Sequence, residues 1–366
     1  MTQFNNQHPS GGPFQHILLI QLGDIGDVVL TFPAVQALRN HFPNARLVLC
    51  VREKARDLAA DLPWINDLIV VDKQNRTVSD EIFYQIDWFN RLRRFGFDLA
   101  IDLRTGTRGA AIAGLSGAGY RIGRFADDGR LWRNRLFHIL VNPENERHEY
   151  AVQHNLNILA PLNLSANASR LLFPVPEYRK QRARHLFQDH HISPNRPVMA
   201  FHPFSLWSYK EWNPDACVRL IDYVQTRTRV QVVITGAPDE RQRAMTLVQR
   251  CQTSPVNLAG LTGIGDLAGV LNLCQLFVGV DTAALHLSAA VGTPTIAIFG
   301  PSSPVSWAPR GRNHRVVQKS LSCVPCRQKG CHNREVSRCL QELTFEEVRP
   351  TLDEYLHSIP ANLNAS

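Results

Sequence analysis

Residues 277–309, FVGVDTAALHLSAAVGTPTIAIFGPSSPVSWAP, decide the fold prediction because they join two apolar strands through a helix. The first strand, Leu276 to Val280, has the length and β-branched content of a buried parallel strand. Asp281 and Thr282 follow it with the side-chain acceptors that often begin a helix. The second strand, Thr295 to Phe299, ends in a Gly- and Pro-rich loop. In a doubly wound sheet, the free amides of such a helix lie at a ligand-binding edge and favour an anion such as a diphosphate.

Strand and helix patterns alternate on the N-terminal side of this stretch, which predicts parallel sheets. In the first half, strands are predicted near residues 17–21, 46–51, 68–71 and 97–101, with helices at 28–42, 53–61, 81–94, 108–115 and 149–162. In the second half, strands are predicted at 198–202 and 230–235, with helices at 214–227, 239–251, 266–274 and 344–357. Pro33 lies inside the first helical pattern and predicts a kink or a later helix start.

Two domains are the default for 366 residues. The polar residues 1–15 are predicted to be a disordered tail, and residues 16–173 the first domain. A cluster of prolines around a short basic helix places the linker at residues 174–197. Residues 198–343 form the second domain, and residues 344–366 carry the last helix, which Thr344 and Glu347 are predicted to cap.

Composition restricts the class of protein. A hydrophobic fraction of 44% and a charged fraction of 20% are typical of a soluble globular protein. No run of eighteen apolar residues and no basic-then-apolar start occur, which predicts a cytosolic protein. Of eight cysteines, four stand singly at Cys50, Cys217, Cys251 and Cys274, unlike a secreted disulfide framework.

The formal net charge of +8 predicts an anionic partner. Because the sequence has no zinc-finger spacing, basic zipper or RNA-binding aromatic motif, a nucleic-acid partner is disfavoured. A phosphorylated substrate or an anionic membrane face accounts for the charge equally well.

Two glycine-bearing loops follow strands of the first half. The first is Leu22-Gly23-Asp24-Ile25-Gly26-Asp27, and the second, Leu103-Arg104-Thr105-Gly106-Thr107-Arg108, follows a strand that ends at Asp102. Neither loop is a dinucleotide fingerprint, and no phosphate-loop motif occurs, so an NAD-dependent oxidoreductase is disfavoured.

Four further cysteines stand close together, at Cys323, Cys326, Cys331 and Cys339. Their spacing differs from the usual paired zinc knuckles, and a structural metal, a disulfide and free thiols all remain open.

The C-terminal half resembles glycosyltransferase family 9, the family of the ADP-heptose:lipopolysaccharide heptosyltransferases. The resemblance is carried at fixed spacing by Asp281-Thr282, His286, Ala289-Ala290, Gly292-Thr293-Pro294, Phe299-Gly300-Pro301 and Trp307-Ala308-Pro309. It implies a GT-B fold, an α/β arrangement of two Rossmann-like, doubly wound parallel-sheet domains that face each other across a cleft. The first domain would bind the acceptor and the second the nucleotide sugar, and the last helix would return to the first domain.

The implied reaction is an inverting transfer of heptose from ADP-L-glycero-D-manno-heptose to a lipopolysaccharide inner-core acceptor. No D-x-D motif occurs, so no divalent metal and no cofactor are expected. The acceptor would be a phosphorylated glycolipid of the lipid A-Kdo type, with peripheral contact at the cytoplasmic face of the inner membrane.

Sugar transfer needs a base for the acceptor hydroxyl and positive groups for the leaving diphosphate. The resemblance assigns the base to Asp27, in a Gly-Asp motif, and phosphate neutralisation to Lys210, in a Lys-x-Trp segment. Asp24 departs from the family pattern, and two carboxylates on one loop predict a raised pKa for one of them. The predicted acceptor contacts are Asp24, Arg104, Gly106 and Arg108.

The predicted donor site lies in the second domain. Ser205 and Ser208 are assigned to phosphate, Glu240 to ribose hydroxyls and Asp281 to sugar hydroxyls. The full predicted donor set is Ser205, Ser208, Gly236, Glu240, Asp281, Thr282, Ala283, Ala284 and His286.

Each assignment has a purely structural alternative. Asp27, Glu240 and Asp281 suit helix N-termini, Lys210 suits a solvated surface, and His286 suits packing against a strand. The alternative functions are a family 9 transferase with another nucleotide sugar, a nucleotide-sugar 2-epimerase on the same fold, and a non-catalytic anion-binding protein.

Overall fold

A computed structural model describes residues 14–72, 77–127, 131–142, 145–164 and 171–359. The chain divides into two compact units, residues 1–171 and 172–366. The predicted N-terminal tail falls almost wholly outside the described ranges. Gln15, at its end, donates its backbone N–H to Asp98 at 2.6 Å.

The first unit is built on a parallel sheet of six strands within the described ranges. The strands are β1 (His16–Gln21), β2 (Arg46–Arg52), β3 (Asp67–Val71), β4 (Leu99–Asp102), β5 (Tyr120–Arg124) and β6 (Ile139–Val141). The helices are α1 (Ile25–Val29), α2 (Phe32–His41), α3 (Arg56–Ala59), α4 (Val78–Arg94), α5 (Thr107–Leu115), α6 (Leu131–Asn134) and α7 (Ala151–Asn157), with 3-10 turns at Glu53–Ala55, Glu146–His148 and Ala160–Leu162.

The strand order of the first sheet is β3-β2-β1-β4-β5-β6, so the chain changes direction of winding between β1 and β4. Residues Ile17 to Ile20 of β1 are wholly buried, as an apolar central strand requires. Ile20 is in register with Asp102 of β4, so the loops after β1 and β4 leave the sheet side by side. Ligands of doubly wound sheets bind at such a switch point.

The second unit repeats this architecture. Its strands are β7 (Val198–His202), β8 (Gln231–Ile234), β9 (Val256–Asn257), β10 (Leu276–Val280), β11 (Thr295–Phe299) and β12 (His314–Gln318). Its helices are α8 (Glu177–Asp189), α9 (Pro214–Arg227), α10 (Arg241–Arg250), α11 (Ile264–Leu273), α12 (Ala283–Ala290), α13 (Pro304–Trp307), α14 (Arg338–Gln341) and α15 (Phe345–Ser358), with 3-10 turns at Ser208–Lys210, Pro238–Glu240 and Cys331–Asn333.

The second sheet has the order β12-β11-β10-β7-β8-β9 and is also parallel. Its switch point lies between β7 and β10, where Gly279 pairs with His202. A side chain at Gly279 would place its Cβ 2.8 Å from the carbonyl oxygen of His202, so glycine allows the close approach of these two strands. The predicted fold class, two Rossmann-like parallel-sheet domains, is confirmed.

The first helical pattern, predicted over 28–42, is split. Helix α1 ends at Val29 and α2 begins at Phe32, with Pro33 in its first turn. This confirms the later start expected from proline, because the first turn of a helix needs no N–H from that residue.

The predicted linker, residues 174–197, includes a helix. It contains α8, which packs against α11 of the second unit, and Arg179 of α8 forms a 2.8 Å ion pair with Asp266. A Cβ at Gly269 of α11 would lie 2.4 Å from the carbonyl oxygen of Arg179, so the two helices pack closely. Helix α8 therefore belongs to the second unit, which begins at Leu172.

The last helix also groups with the second unit, and its return to the first domain, which the family resemblance implied, stays a prediction. Phe345, Val348 and Leu352 of α15 are buried in the core that includes β7, β8 and α9. The predicted cap is confirmed, since Thr344 donates its N–H to Glu347 at 2.9 Å. None of the helices in the described ranges has both the length and the apolar character needed to cross a bilayer.

Candidate active site

Asp27 and Arg104 meet at the switch point of the first sheet. Arg104, in the loop after β4, donates Nη1 to Asp27 Oδ2 at 2.7 Å. The same oxygen accepts the backbone N–H of Asp24 at 2.9 Å, so Asp27 also has the helix-capping role that was its structural alternative. Within the described part of the chain, Oδ1 of Asp27 accepts no hydrogen bond. One carboxylate oxygen of Asp27 is thus held in place by two donors.

Asp24 lies in a basic environment that the sequence did not reveal. It pairs with Lys54, in the segment after β2, and with Arg52 at 3.4 Å. Burial raises the pKa of Asp24, but the charges of Lys54, Arg52 and Arg104 outweigh it, so this pKa lies below its ordinary value. The prediction that the shared loop raises a pKa is therefore wrong for Asp24, because cations from two neighbouring loops are closer than expected.

The two other predicted acceptor residues lie in or beside the first turn of α5. Gly106 is the N-cap of that helix, and a Cβ there would meet no atom within 4 Å. Arg108 donates Nη2 to the backbone oxygen of Asp72 at 3.5 Å. Of the four predicted contacts, Arg104 and Asp24 are therefore at hydrogen-bond distance from Asp27, whereas Arg108 is bonded elsewhere.

The buried ion pair of Asp102 and Arg133, which lies next to the loop after β4, was not predicted from the sequence. Asp102, at the end of β4, and Arg133 of α6 are 1% and 0% exposed, with Nη2 and Oδ2 3.3 Å apart. Burial raises the pKa of Asp102 to about 7, opposed by the N–H of Arg104 and the charge of Arg133. Asp102 could have been singled out because it is a polar residue at the end of an apolar strand. Arg133 could not, because other basic residues stand close to it in the sequence.

Lys210 and Asp281 meet at the switch point of the second sheet. Lys210 follows β7, Asp281 follows β10, and Nζ lies 2.7 Å from Oδ2. Burial raises the pKa of Asp281, but Lys210, His286 and the hydroxyl of Ser302 together bring it below its ordinary value. The structure thus presents a lysine ammonium beside a helix start, held by a carboxylate that stays ionised.

Helix α12 begins as the sequence predicted. Thr282 is its N-cap, in an extended conformation, and the N–H of Leu285 donates to the Thr282 carbonyl at 3.1 Å. The amides of Thr282, Ala283 and Ala284 precede that first helical bond, in the turn where backbone N–H groups have no intrahelical acceptor. His286 is 4% exposed and is packed within the unit.

The loop between β7 and α9 carries Ser205 and Ser208 on either side of two exposed apolar side chains. Ser205 donates its N–H to Glu211 at 3.1 Å and accepts the N–H of Trp207 on Oγ at 3.3 Å. Ser208 donates its hydroxyl to the carbonyl of Glu335 at 3.1 Å. Both serines therefore help to hold the loop, and their predicted contacts to phosphate stay predictions.

Gly236 and Glu240 follow β8, one strand away from the Lys210 loop. Glu240 accepts the N–H of Ala237 on Oε2 at 2.6 Å, so it caps its own turn. Burial, with the charges of Asp239 and Glu211, raises the pKa of Glu240 in spite of that hydrogen bond. Its predicted role toward ribose hydroxyls stays a prediction.

The four clustered cysteines line one cavity of about 110 Å³ in the second unit. All four are free thiols, and Cys331 Sγ accepts the N–H of Arg338 at 3.4 Å. Across the described ranges, no three Asp, Glu, His or Cys side chains are arranged to hold a metal ion. The cavity belongs to a segment that also holds the Lys210 loop, since Ser337 donates its hydroxyl to the Tyr209 carbonyl at 2.6 Å.

Comparison with known proteins gives the family. Residues 86–337 match the model of glycosyltransferase family 9 (heptosyltransferase). The chain is 27% identical over 293 residues to lipopolysaccharide heptosyltransferase 3 of Escherichia coli, covering 79% of this chain and 84% of that relative.

Solved structures agree on the fold. A family 9 glycosyltransferase from Veillonella parvula DSM 2008 has a TM-score of 0.80 at 21% identity, covering 94% of this chain and 98% of that one. The E. coli ADP-heptose lps heptosyltransferase II has a TM-score of 0.78 at 20% identity, covering 94% and 99%. The two parallel sheets are those of the GT-B fold. The chain belongs to glycosyltransferase family 9, the heptosyltransferase family, and is a glycosyltransferase.

Proposed function

We propose that this glycosyltransferase transfers heptose from an ADP-activated donor to a lipopolysaccharide inner-core acceptor, with inversion and without a divalent metal. The observation that carries the proposal is the 2.7 Å pair of Lys210 and Asp281 beside the start of α12. The lysine, which a buried carboxylate holds at the switch point, places its ammonium group where a nucleoside diphosphate would bind. The identity of the donor and acceptor is supported by the names of the relatives, which include an ADP-heptose enzyme and a lipopolysaccharide enzyme.

The proposed reaction is a single displacement at the anomeric carbon. The acceptor hydroxyl loses its proton to Oδ1 of Asp27 as its oxygen bonds to that carbon. The bond from carbon to the diphosphate oxygen breaks, and the electron pair leaves with ADP. Lys210 and the free amides at the start of α12 neutralise the leaving group. Attack opposite the leaving group inverts the configuration.

Metal independence is supported by the chemistry of these residues. The sequence has no D-x-D motif, and the ammonium of Lys210 with the helix start takes the place of a cation on the diphosphate. We expect the rate in excess EDTA to remain within about twofold of the rate without it. A rate that collapses in EDTA and returns with Mg²⁺ would exclude this part of the proposal.

The donor is tested by calorimetric titration with ADP, UDP, GDP and NAD on the wild type, Lys210→Ala and the control Lys180→Ala. Lys180 is a half-buried helix lysine that lies 3.7 Å from Glu177. We expect the wild type to bind ADP selectively. Lys210→Ala should weaken ADP binding about 10- to 100-fold, because a charged hydrogen bond is lost. Lys180→Ala should leave ADP binding unchanged. Selective UDP or GDP binding would point to a different donor, and no nucleotide binding would refute the site.

The base is tested by transfer assays of Asp27→Asn and the control Asp87→Asn. Asp87 is an exposed residue of α4, 2.7 Å from Arg91. We expect Asp27→Asn to lower kcat about 10²- to 10⁴-fold with unchanged ADP affinity. Turnover of the donor without acceptor would indicate an epimerase, and full activity of Asp27→Asn would exclude Asp27 as the base. The anomeric configuration of the product, read by NMR, tests inversion.

The proposed place of the reaction is the cytoplasmic face of the inner membrane, reached by peripheral contact. The support is the net charge of +8 and the exposed apolar side chains Ile86 and Phe89 on the arginine-containing helix α4. A basic helix with exposed apolar groups suits an anionic membrane surface.

A further inference from the structure

Arg104 is one of the two donors that hold Oδ2 of the Asp27 carboxylate, and it is a long side chain on a loop. Its side chain is 46% exposed, whereas that of Asp27 is 24% exposed. An unrestrained arginine side chain loses rotamer entropy when it is held in one geometry. A fixed backbone at Arg104 does not remove that entropy cost, but it defines the point from which the guanidinium reaches Asp27.

The backbone of Arg104 is held from both sides by the buried pair Asp102 and Arg133. Its N–H donates to Asp102 Oδ1 at 3.1 Å, and its carbonyl accepts Nη2 of Arg133 at 2.5 Å. Asp102 and Arg133 also contact each other, with Nη2 3.3 Å from Oδ2. Both polar groups of the Arg104 peptide backbone are thus tied to one ion pair.

Arg133 is itself fixed by the structure around it. Its Nη1 donates to the carbonyl of Arg124 at 2.6 Å and to Asn134 Oδ1 at 3.0 Å. Its guanidinium lies over the ring of Phe137, 5.0 Å from the ring centre. The planar fork of an arginine matches such a set of acceptors, whereas a lysine presents a single point charge.

The carboxylate of Asp102 packs closely against helix α5. A Cβ at Gly109 of α5 would lie 2.6 Å from Asp102 Oδ1, so the absence of a side chain there leaves the space that the carboxylate occupies. A buried ion pair contributes little to stability compared with apolar residues of the same size. Stability alone therefore does not account for the choice of Asp102 and Arg133 at these positions.

We infer that Asp102 and Arg133 are positioning residues, which fix the Arg104 backbone so that its guanidinium orients Asp27 toward the acceptor hydroxyl. This inference rests on the proposed role of Asp27 as the base. The alternative is that the pair only joins β4, β5 and α6, in which case its loss lowers stability and leaves the geometry of Arg104 unchanged.

The kinetic test uses Arg133→Lys, Asp102→Asn and Arg104→Ala, singly and as double variants with Arg104→Ala. Arg133→Lys keeps the charge but loses the fork, and Asp102→Asn is a second variant in case the first does not fold. We expect each to lower kcat about 10- to 100-fold with the donor KM within about twofold. In the Arg104→Ala background, neither should lower kcat further by more than about twofold. Equal losses in both backgrounds would overturn the inference.

The matched control is Arg179→Lys. Arg179 is 5% exposed, pairs with Asp266 at 2.8 Å and lies 4.9 Å from a tyrosine ring centre, so it resembles Arg133 in burial, ion pairing and ring contact, although Asp266 is 28% exposed. We expect its melting temperature to fall as much as that of Arg133→Lys while its kcat stays within twofold of wild type. A similar loss of kcat in the control would show that the effect is one of stability.

A structural readout separates this inference from the proposed function. In crystal structures of Arg133→Lys and Asp102→Asn, we expect Arg104 Nη1 to lie more than about 4 Å from Asp27 Oδ2, beyond ion-pair distance, compared with 2.7 Å here. If the distance is unchanged, the inference is wrong whatever the activity. If Arg104 moves but the wild type transfers no sugar, the positioning stands and the proposed function fails.

Discussion

At the scale of single residues, the pair of Asp27 and Arg104 depends on the absence of a side chain at Gly23. Gly23 lies in the loop between β1 and α1, where a Cβ would come 2.6 Å from Arg104 Nη1 and 2.6 Å from the Cβ of Asp27. Such distances are shorter than packed atoms allow, so any side chain would separate the arginine from the carboxylate. Glycine at position 23 is thus part of the geometry that holds Asp27.

We predict that Gly23→Ala lowers kcat of the transfer reaction about 10- to 100-fold, because the Arg104 to Asp27 hydrogen bond is displaced. Gly119→Ala is the control, since its Cβ would meet only the carbonyl oxygen of Asp98, at 3.9 Å. Steady-state kinetics on both variants check this. Equal kcat in Gly23→Ala and wild type would show that the loop adapts without loss of the pair.

Asp281 gives the second prediction at this scale, a dependence of stability on pH. Its folded pKa lies below the ordinary value, chiefly because Lys210 and His286 outweigh the effect of burial. The stability that it contributes is therefore complete above the unfolded pKa of about 3.9 and is lost as the pH falls through the lower folded pKa.

We expect the difference in Tm between wild type and Asp281→Asn to be constant from pH 5 to 7 and to shrink below about pH 4. Scanning calorimetry at each pH measures it, with Asp87→Asn as an exposed control whose Tm difference should stay near zero. A difference that persists unchanged at pH 3 would contradict the assigned pKa direction.

At the scale of elements, the Lys210 loop is held by the segment that follows β12. Ser337 bonds the Tyr209 carbonyl, Trp212 donates Nε1 to the Leu343 carbonyl at 2.8 Å, and Asn213 donates to the Gln341 carbonyl at 3.1 Å. The cysteine-containing segment 323–339 thus takes part in fixing the loop that carries Lys210, which gives this segment a structural role in the candidate site.

We predict that Ser337→Ala weakens ADP binding about 3- to 10-fold, since one lost hydrogen bond of about 1 kcal/mol loosens the loop. Ser116→Ala is a matched control in the first unit, because Ser116 is also 2% exposed and donates to a carbonyl, at 2.7 Å. Both variants should lose similar stability in thermal unfolding. If both variants change the ADP affinity measured by calorimetry, or if neither does, the hydrogen bond from Ser337 does not hold the Lys210 loop.

At the scale of the whole molecule, charge and exposed apolar groups favour an anionic membrane surface. The net charge is +8, and Ile86, Phe89 and Trp132 of the first unit are 53%, 36% and 53% exposed. Attraction to anionic lipid is screened over about 8 Å at physiological salt, so binding by charge weakens as salt rises.

We predict cosedimentation with vesicles that contain anionic phospholipid, little with neutral vesicles, and loss of binding between 50 and 500 mM salt. The double variant Ile86→Ser/Phe89→Ser should bind about tenfold more weakly, because two apolar groups no longer enter the interface. Met245→Ser is the control, at a side chain 41% exposed on α10. Equal binding to neutral vesicles, or none to anionic ones, would contradict this prediction.

The amino-acid sequence by itself determined the features that depend on near neighbours in the chain. The bounds predicted for β10 and β11 match the structure, and Pro33 and Thr344 mark the helix starts that were expected from them. Apolar runs, helix caps and prolines act over a few residues, so their effect is visible in sequence. The alternation of such units was enough to indicate the fold class.

Strands without a long apolar run were not predicted. The strands β6 and β9 are short and half-buried, β12 is partly exposed, and β5 contains Arg121 and Arg124, so none shows an apolar run of more than three residues. Hydrogen bonding to a neighbouring strand fixes them, and that neighbour is known only once the sheet has formed.

Only the tertiary structure decided which charges meet. Asp24 and Lys54 are 30 residues apart, Asp27 and Arg104 77 apart, and Lys210 and Asp281 71 apart. The family resemblance named several of these residues but did not pair them, and it did not include Lys54. Strand order and register bring the ends of β1, β2 and β4, and of β7 and β10, to one edge of each sheet. Because parallel strands are joined by long crossovers, such contacts are set by the packing of the whole unit and not by local sequence.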